Sequence, residues 1–259
     1  MSDWNDTDRR MGATSVPRAG DAVSRQTTFD AGLRQHMLSI YNMMASGVLL
    51  TGIVALLFVN TALFEAAYSV VQTPYGRAVQ PTMLGWIISF SPLAFVFAMR
   101  FGVNKFSKPT LKIMFWAFAI VMGLSLSTIF LVYTGESIAA TFFATAGAFA
   151  GLSLFGYTTK KDLSGFGTFL VMGLIGLLIA MVINIFLQSS TLALAVSFIG
   201  VLIFAGLTAY DTQRLKREYQ YLRGTEFAGK AIIMGALSLY LDFINMFLFL
   251  LRFMGAARE

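Results

Sequence analysis

Asp242 is the residue that most demands a chemical explanation. It sits in the run ALSLYLDFINMFLFLLRF, otherwise free of charge until Arg252. An ionisable side chain at the centre of a membrane helix costs about 2.5–3.5 kcal/mol on insertion scales. Counted from Ala231 to Phe253, Asp242 is central, with about 16 Å of helix on either side. A carboxyl on so short a stem does not reach water from that depth. It must face the interior of a bundle or a wet cavity, and be protonated, paired or bound to a cation. Ser238 and Asn245, at i−4 and i+3, share its helix face and are its expected hydrogen-bond partners. The bland alternative is a satisfied acid that only fixes helix packing.

Asp211 closes the sixth apolar stretch, in FAGLTAYDTQRLKREYQYL. It reads as an interfacial charge or, because the helical pattern runs on through Leu215, as part of a helix leaving the membrane obliquely. On this count Asp242 is deep and Asp211 shallow. They meet only if the seventh helix begins before the bilayer or the sixth tilts inward. Arg100 ends the second span, in SPLAFVFAMRFGVNK, as a surface anchor or as a latch reaching back to a carboxylate. Arg252, near the outer end of the seventh span, is placed to snorkel outward. Glu136 follows Thr134 and Gly135 at a helix start, where a carboxylate complements the helix dipole. His36 reads as interfacial and Glu65 falls in an outer loop.

Two acids close together titrate as a pair. The first proton leaves easily; the second is held because two anions in low dielectric repel. A proton, an arginine or a divalent cation can neutralise them, so Asp211 and Asp242 together would form a pH-responsive gate or a cation site. Calcium suits carboxylate oxygens but takes 6–8 of them, so water and carbonyls would complete the shell.

Other chemistries fall away. There is no Cys and a single His, which excludes thiolate metal sites, cysteine nucleophiles and a multi-histidine zinc site. The segment from Gly224 to Lys230 imitates a phosphate loop, but Ala231 stands where Ser or Thr would hold magnesium, and no strand precedes it. Tyr210-Asp211 fits an intramembrane aspartyl protease; the Gly-x-Gly turn expected beside the second acid is Leu239-Tyr240-Leu241 here. No enzyme activity and no cofactor are expected.

The elements that must position these groups are membrane helices. Apolar residues make up 57% of the 259 and charged ones 12%, about half the charge of a soluble domain. Seven stretches approach the 20 or so apolar residues a span needs: Leu38–Ala62, Thr82–Met99, Leu111–Tyr133, Ser137–Tyr157, Phe166–Leu187, Thr191–Tyr210 and Ala231–Phe253. Backbone groups in lipid must be satisfied within the segment, so the fold is an all-α, seven-helix bundle. Residues 1–30 read as a flexible cytoplasmic tail and 31–259 as the transmembrane domain. With the N-terminus inside, 16 of the 19 basic residues fall in cytoplasmic segments, the positive-inside pattern. The net charge of +6 therefore reflects inner loops, and no nucleic-acid partner is expected. Gly147 with Gly151, Gly173 with Gly176, and Gly200 with Gly206 are expected to let helix backbones approach.

The stretch Ala236 to Asn245, running on to Phe253, resembles the seventh-helix signature of the transmembrane Bax-inhibitor-motif family, in its bacterial branch. Phe155-Gly-Tyr-Thr-Thr-Lys-Lys-Asp-Leu-Ser164 and Ala209-Tyr-Asp-Thr-Gln213 are similar to two further family segments. The resemblance implies six helices around a central seventh and a pH-sensitive calcium leak of the inner membrane. Its two-aspartate sensor would be Asp211 and Asp242, latched by Arg100. It also implies a pairing of Arg252 with a second-helix Glu, a position held here by Ser89. Calcium is expected as permeant or bound ion and the lipid bilayer as surroundings. Two alternatives stand beside the leak. One is a regulator of a membrane protease or other membrane partner, acting through the tail and the Arg214–Lys230 loop. The other is a proton-coupled transporter of a small solute.

Overall fold

The computed structural model describes residues 19–73 and 76–256. Seven helices among the described residues are long and apolar enough to cross a membrane. They are α1 (Ala19–Phe58), α3 (Met83–Gly102), α4 (Lys108–Leu126), α6 (Gly135–Thr158), α7 (Ser164–Leu187), α8 (Ser190–Leu222) and α9 (Ala228–Met254). A short α2 (Ala62–Ala67) and an antiparallel hairpin of β1 (Tyr68–Thr73) and β2 (Gly76–Pro81), pairing Tyr68 with Pro81, join the first two spans. A one-turn α5 (Ile129–Val132) extends α4 beyond a break at Ser127.

Short polar residues start the spans. The side chains of Thr82, Ser107, Thr134 and Ser189 each accept from a backbone N–H of the following helix's first turn. An N-terminal amide left bare near lipid would be costly, and these caps remove that cost. Thr134 makes the cap on α6, with Glu136 behind it in the first turn. The last described residues return to the same place: Ala256 N–H donates to Ser137 Oγ at 2.9 Å, and Thr134 N–H to the Ala256 carbonyl at 3.1 Å.

The last helix is the centre of the bundle. α9 packs on α1, α4, α6 and α8, and 67% of its span is buried against 11–44% for the others. Its apolar side chains lock the core around Tyr240, whose ring meets Phe115 and Phe118 edge-on. α3 and α7 lie at the periphery, α3 on α4 and α7 on α8.

Several expected boundaries shift. Residues 1–18 of the expected tail lie outside the described residues, and the backbone of 19–30 is helical, continuing α1. Extending an existing helix avoids the cost of nucleation, so a sequence without an apolar face can still be drawn into one. The connection between the first two spans carries the β-hairpin, which its sequence did not announce. The expected Arg214–Lys230 loop contracts to residues 223–227, because α8 runs to Leu222. Its 33 residues span about 50 Å, well past the roughly 30 Å of hydrocarbon. Gly200 does admit Phe249, and Gly206 admits Leu170, but nothing packs within 4 Å of a β-carbon at Gly147, Gly151 or Gly176. That face of α6 is open.

Candidate functional site

The site is built by the α8–α9 hairpin. Its register is visible in two close contacts: Leu215 lies against Gly235, and Phe249 against Gly200. This pairing sets Asp211 opposite the turn of α9 just before Asp242. The two acids therefore differ in height by about one turn, roughly 5 Å, and stand within electrostatic reach of one another. The expected contrast of deep and shallow is resolved by α9 itself. It starts at Ala228, so its first turns run alongside the protruding end of α8 before Asp242 is reached.

Both aspartates are buried, Asp211 at 7% and Asp242 at 6% exposure. Their surroundings differ sharply. Arg214, one turn along α8, grips Asp211 with both terminal nitrogens: Nη1 to Oδ1 at 3.0 Å and Nη2 to Oδ2 at 3.2 Å. A two-pronged guanidinium–carboxylate bond is among the stronger hydrogen-bonded pairings available to a protein. Nη2 also donates to Ser238 Oγ on α9 at 3.3 Å. Nε lies 3.4 Å from Glu218 Oε1, an ion-pair distance without hydrogen-bond alignment. Asp242 has no such partner: its Oδ2 is buried and takes no hydrogen bond.

The expected helpers of Asp242 are engaged elsewhere. Asn245 Nδ2 donates to the Leu241 carbonyl at 2.8 Å, one turn back on its own helix. Ser238 serves Arg214. Arg100 is exposed at the end of α3 and forms none of the three ion pairs among the described residues. It makes no ion pair with Asp211. The reason is placement, since α3 packs on α4 whereas Arg214 rises from the helix that carries Asp211. Arg252 is exposed with its guanidinium 6.0 Å from the Phe249 ring, as a snorkelling side chain would be. Ser89 is paired with the Tyr68 hydroxyl at 3.2 Å. His36 is buried beside the Tyr219 ring, 5.1 Å away.

Arg214 and Glu218 were the residues missed. The signal was present, since Asp211, Arg214 and Glu218 follow one another at i, i+3 and i+7 on one helix face. Counting them as loop charges hid it.

The same helix end fastens the connection between α6 and α7. Gln213 Nε2 donates to the Lys161 carbonyl at 2.7 Å, and its Oε1 accepts from Leu163 N–H at 2.9 Å. Lys216 Nζ donates to the Tyr157 carbonyl at 2.7 Å, and Arg217 pairs with Asp162 at 2.6 Å. Asp162 also accepts from the backbone N–H and the hydroxyl of Ser164. Those two bonds, then Arg217, hold its carboxyl down at about 2. Gly156 lets α6 touch the backbone of α8 at Ala209, a contact any β-carbon would block. The three sequence segments singled out above thus meet at one end of the bundle.

As it stands the pair is no calcium cage. Both oxygens of Asp211 are held by Arg214, and no group of three metal-ligating side chains occurs among the described residues.

The family of inhibitors of apoptosis-promoting Bax1 matches residues 33–259. The chain is 46% identical to an uncharacterized protein of Caulobacter vibrioides over the full length of both. It is 44% identical to the uncharacterized protein RP147 of Rickettsia prowazekii, covering 92% of this chain and 96% of that one. It is also 45% identical to the inner membrane protein YbhL of Escherichia coli, covering 88% and 94%.

Proposed function

We propose that this chain, which belongs to the family of inhibitors of apoptosis-promoting Bax1, is a pH-sensitive calcium leak of the inner membrane whose gate is the Asp211–Arg214–Asp242 cluster. One observation carries the reading: two buried acids share one neighbourhood, and a single guanidinium satisfies only the first. A buried carboxylate without a partner is unstable unless a proton or cation completes it. Protonating either acid, or bringing a cation to Asp242, changes the claim each makes on Arg214. Arg214 bridges α8 to α9 through Ser238, so loss of its grip loosens the central hairpin. In this reading Arg214 takes the latch role first assigned to Arg100. Calcium is the permeant ion, the inner membrane its setting, and the N-terminus cytoplasmic by the distribution of basic residues.

The test is reconstitution of the purified protein, alone, into vesicles loaded with a calcium-sensitive dye. Calcium entry that varies with pH supports the leak. No entry at any pH, with the protein correctly folded, overturns it in favour of a regulator that acts through a membrane partner.

A further inference from the structure

A second feature lies beside α9, between α1 and α6. α1 and α6 diverge there and leave a cavity of about 640 Å³ with Phe243 of α9 in its wall. That is within the range of pockets that hold small ligands, about 300–1,000 Å³. The cavity opens to the flank of the bundle, because Leu38, Leu49 and Leu154 in its lining are exposed.

Two polar features break its apolar surface. Ser153 lines the cavity at 6% exposure, and its Oγ has no hydrogen-bond partner. Ser197 and Thr208, in comparable helical settings, each donate to the carbonyl four residues back; Ser153 does not. A buried hydroxyl left unmet costs about 1–3 kcal/mol, and this one belongs to the wall of the cavity. At one end stands Arg34, exposed and outside every ion pair among the described residues. Lys216 lies near the same end, its ammonium 4.9 Å from the ring of the lining residue Tyr157. From Arg34 to Leu49 on α1 the lining runs about 22 Å, longer than the roughly 15 Å of one hydrocarbon leaflet.

We propose that this cavity binds one anionic phospholipid, its phosphate at Arg34, an ester carbonyl accepting from Ser153 Oγ, and an acyl chain between Leu49 and Phe142. The order of groups along the groove is the order along a lipid: cation at the membrane surface, one buried donor below it, then hydrocarbon walls. The opening onto the bilayer supplies the occupant, and the basic rim selects its charge. The site is separate from the aspartate cluster and stands whether or not that cluster gates an ion.

Native mass spectrometry of the full-length, delipidated protein would test this, titrating palmitoyl-oleoyl phosphatidylglycerol against the phosphatidylcholine of the same chains. One retained phosphatidylglycerol per protein is expected, bound in preference to phosphatidylcholine. Arg34→Gln should cut that preference about fivefold. Ser153→Ala should weaken both lipids without lowering the melting temperature, since its hydroxyl has no internal bond to lose. Ala150→Trp, which fills the groove from an exposed position, should abolish the retained adduct. Equal retention of the two lipids, or an adduct that survives Ala150→Trp in a folded protein, would overturn the proposal.

Discussion

Tyr240 and Asp242 are two residues apart on α9, both buried, and oppositely provided for. Tyr240 faces α1 and α4. Its hydroxyl is 2.7 Å from Thr51 Oγ1, which itself donates to the Ala119 carbonyl at 2.8 Å. Thr51 has one proton and spends it on Ala119, so the tyrosine is the donor in the pair. Every polar atom there is met, and aromatic edges close around it. Asp242 faces the α8 side, where Arg214 is committed to Asp211 and Asp242 Oδ2 is left without a partner. One face of the central helix is finished and holds the bundle together. The other keeps an unmet requirement that a proton or cation can satisfy, which is what a responsive element needs.

Removing the clamp should break this contrast most strongly. Arg214→Gln leaves two buried acids without a cation. A charged hydrogen bond is worth about 1.5–3 kcal/mol, so calcium entry at neutral pH should rise roughly tenfold to a hundredfold. Entry equal to that of the unaltered protein would show that the clamp does not hold the gate. Thermal melting in detergent sharpens the comparison. Tyr240→Phe removes a satisfied bond and should cost about 1 kcal/mol. Asp242→Asn removes an unsatisfied carboxyl and should leave the melting temperature unchanged or raise it. If Asp242→Asn proves the more damaging of the two, the acid is a packing element.

A smaller effect belongs to the connection held by Arg217 and Asp162. The folded-state value of Asp162, about 2, lies below its ordinary 3.8. Its contribution is therefore complete above about pH 4 and fades as pH falls toward 2. The protection of residues 159–164 from hydrogen exchange, taken relative to the intrinsic rate at each pH, should fall over that window in the unaltered protein. In Asp162→Asn that protection should be low throughout, with no step.

Seven helices, their order and the burial of Asp242 were legible because hydrocarbon imposes a harsh rule. A span must be long, apolar and helical, and a charge within it stands out. The resemblance at residues 236–245 added the central position of α9, which the stretch's apolar character did not by itself require. What stayed hidden depended on partners rather than on composition. The charges of α8 past Asp211 look like a solvated loop until the helix is known to continue, and only then do Asp211, Arg214 and Glu218 fall on one face. Asn245 shares a face with Asp242, yet its own Leu241 carbonyl is nearer to hand. The β-hairpin after α2 carries no strong alternation. Ser153 looks like any helical serine, and its lack of a partner shows only in the structure.

The most direct test is the pH profile of calcium entry with Asp242→Asn, set beside the unaltered protein in the same dye-loaded vesicles. Asparagine keeps the shape and removes the titration. The profile should flatten, with entry nearly constant across the range where the unaltered protein switches. A variant that folds normally and reproduces the original profile would contradict the proposed gate.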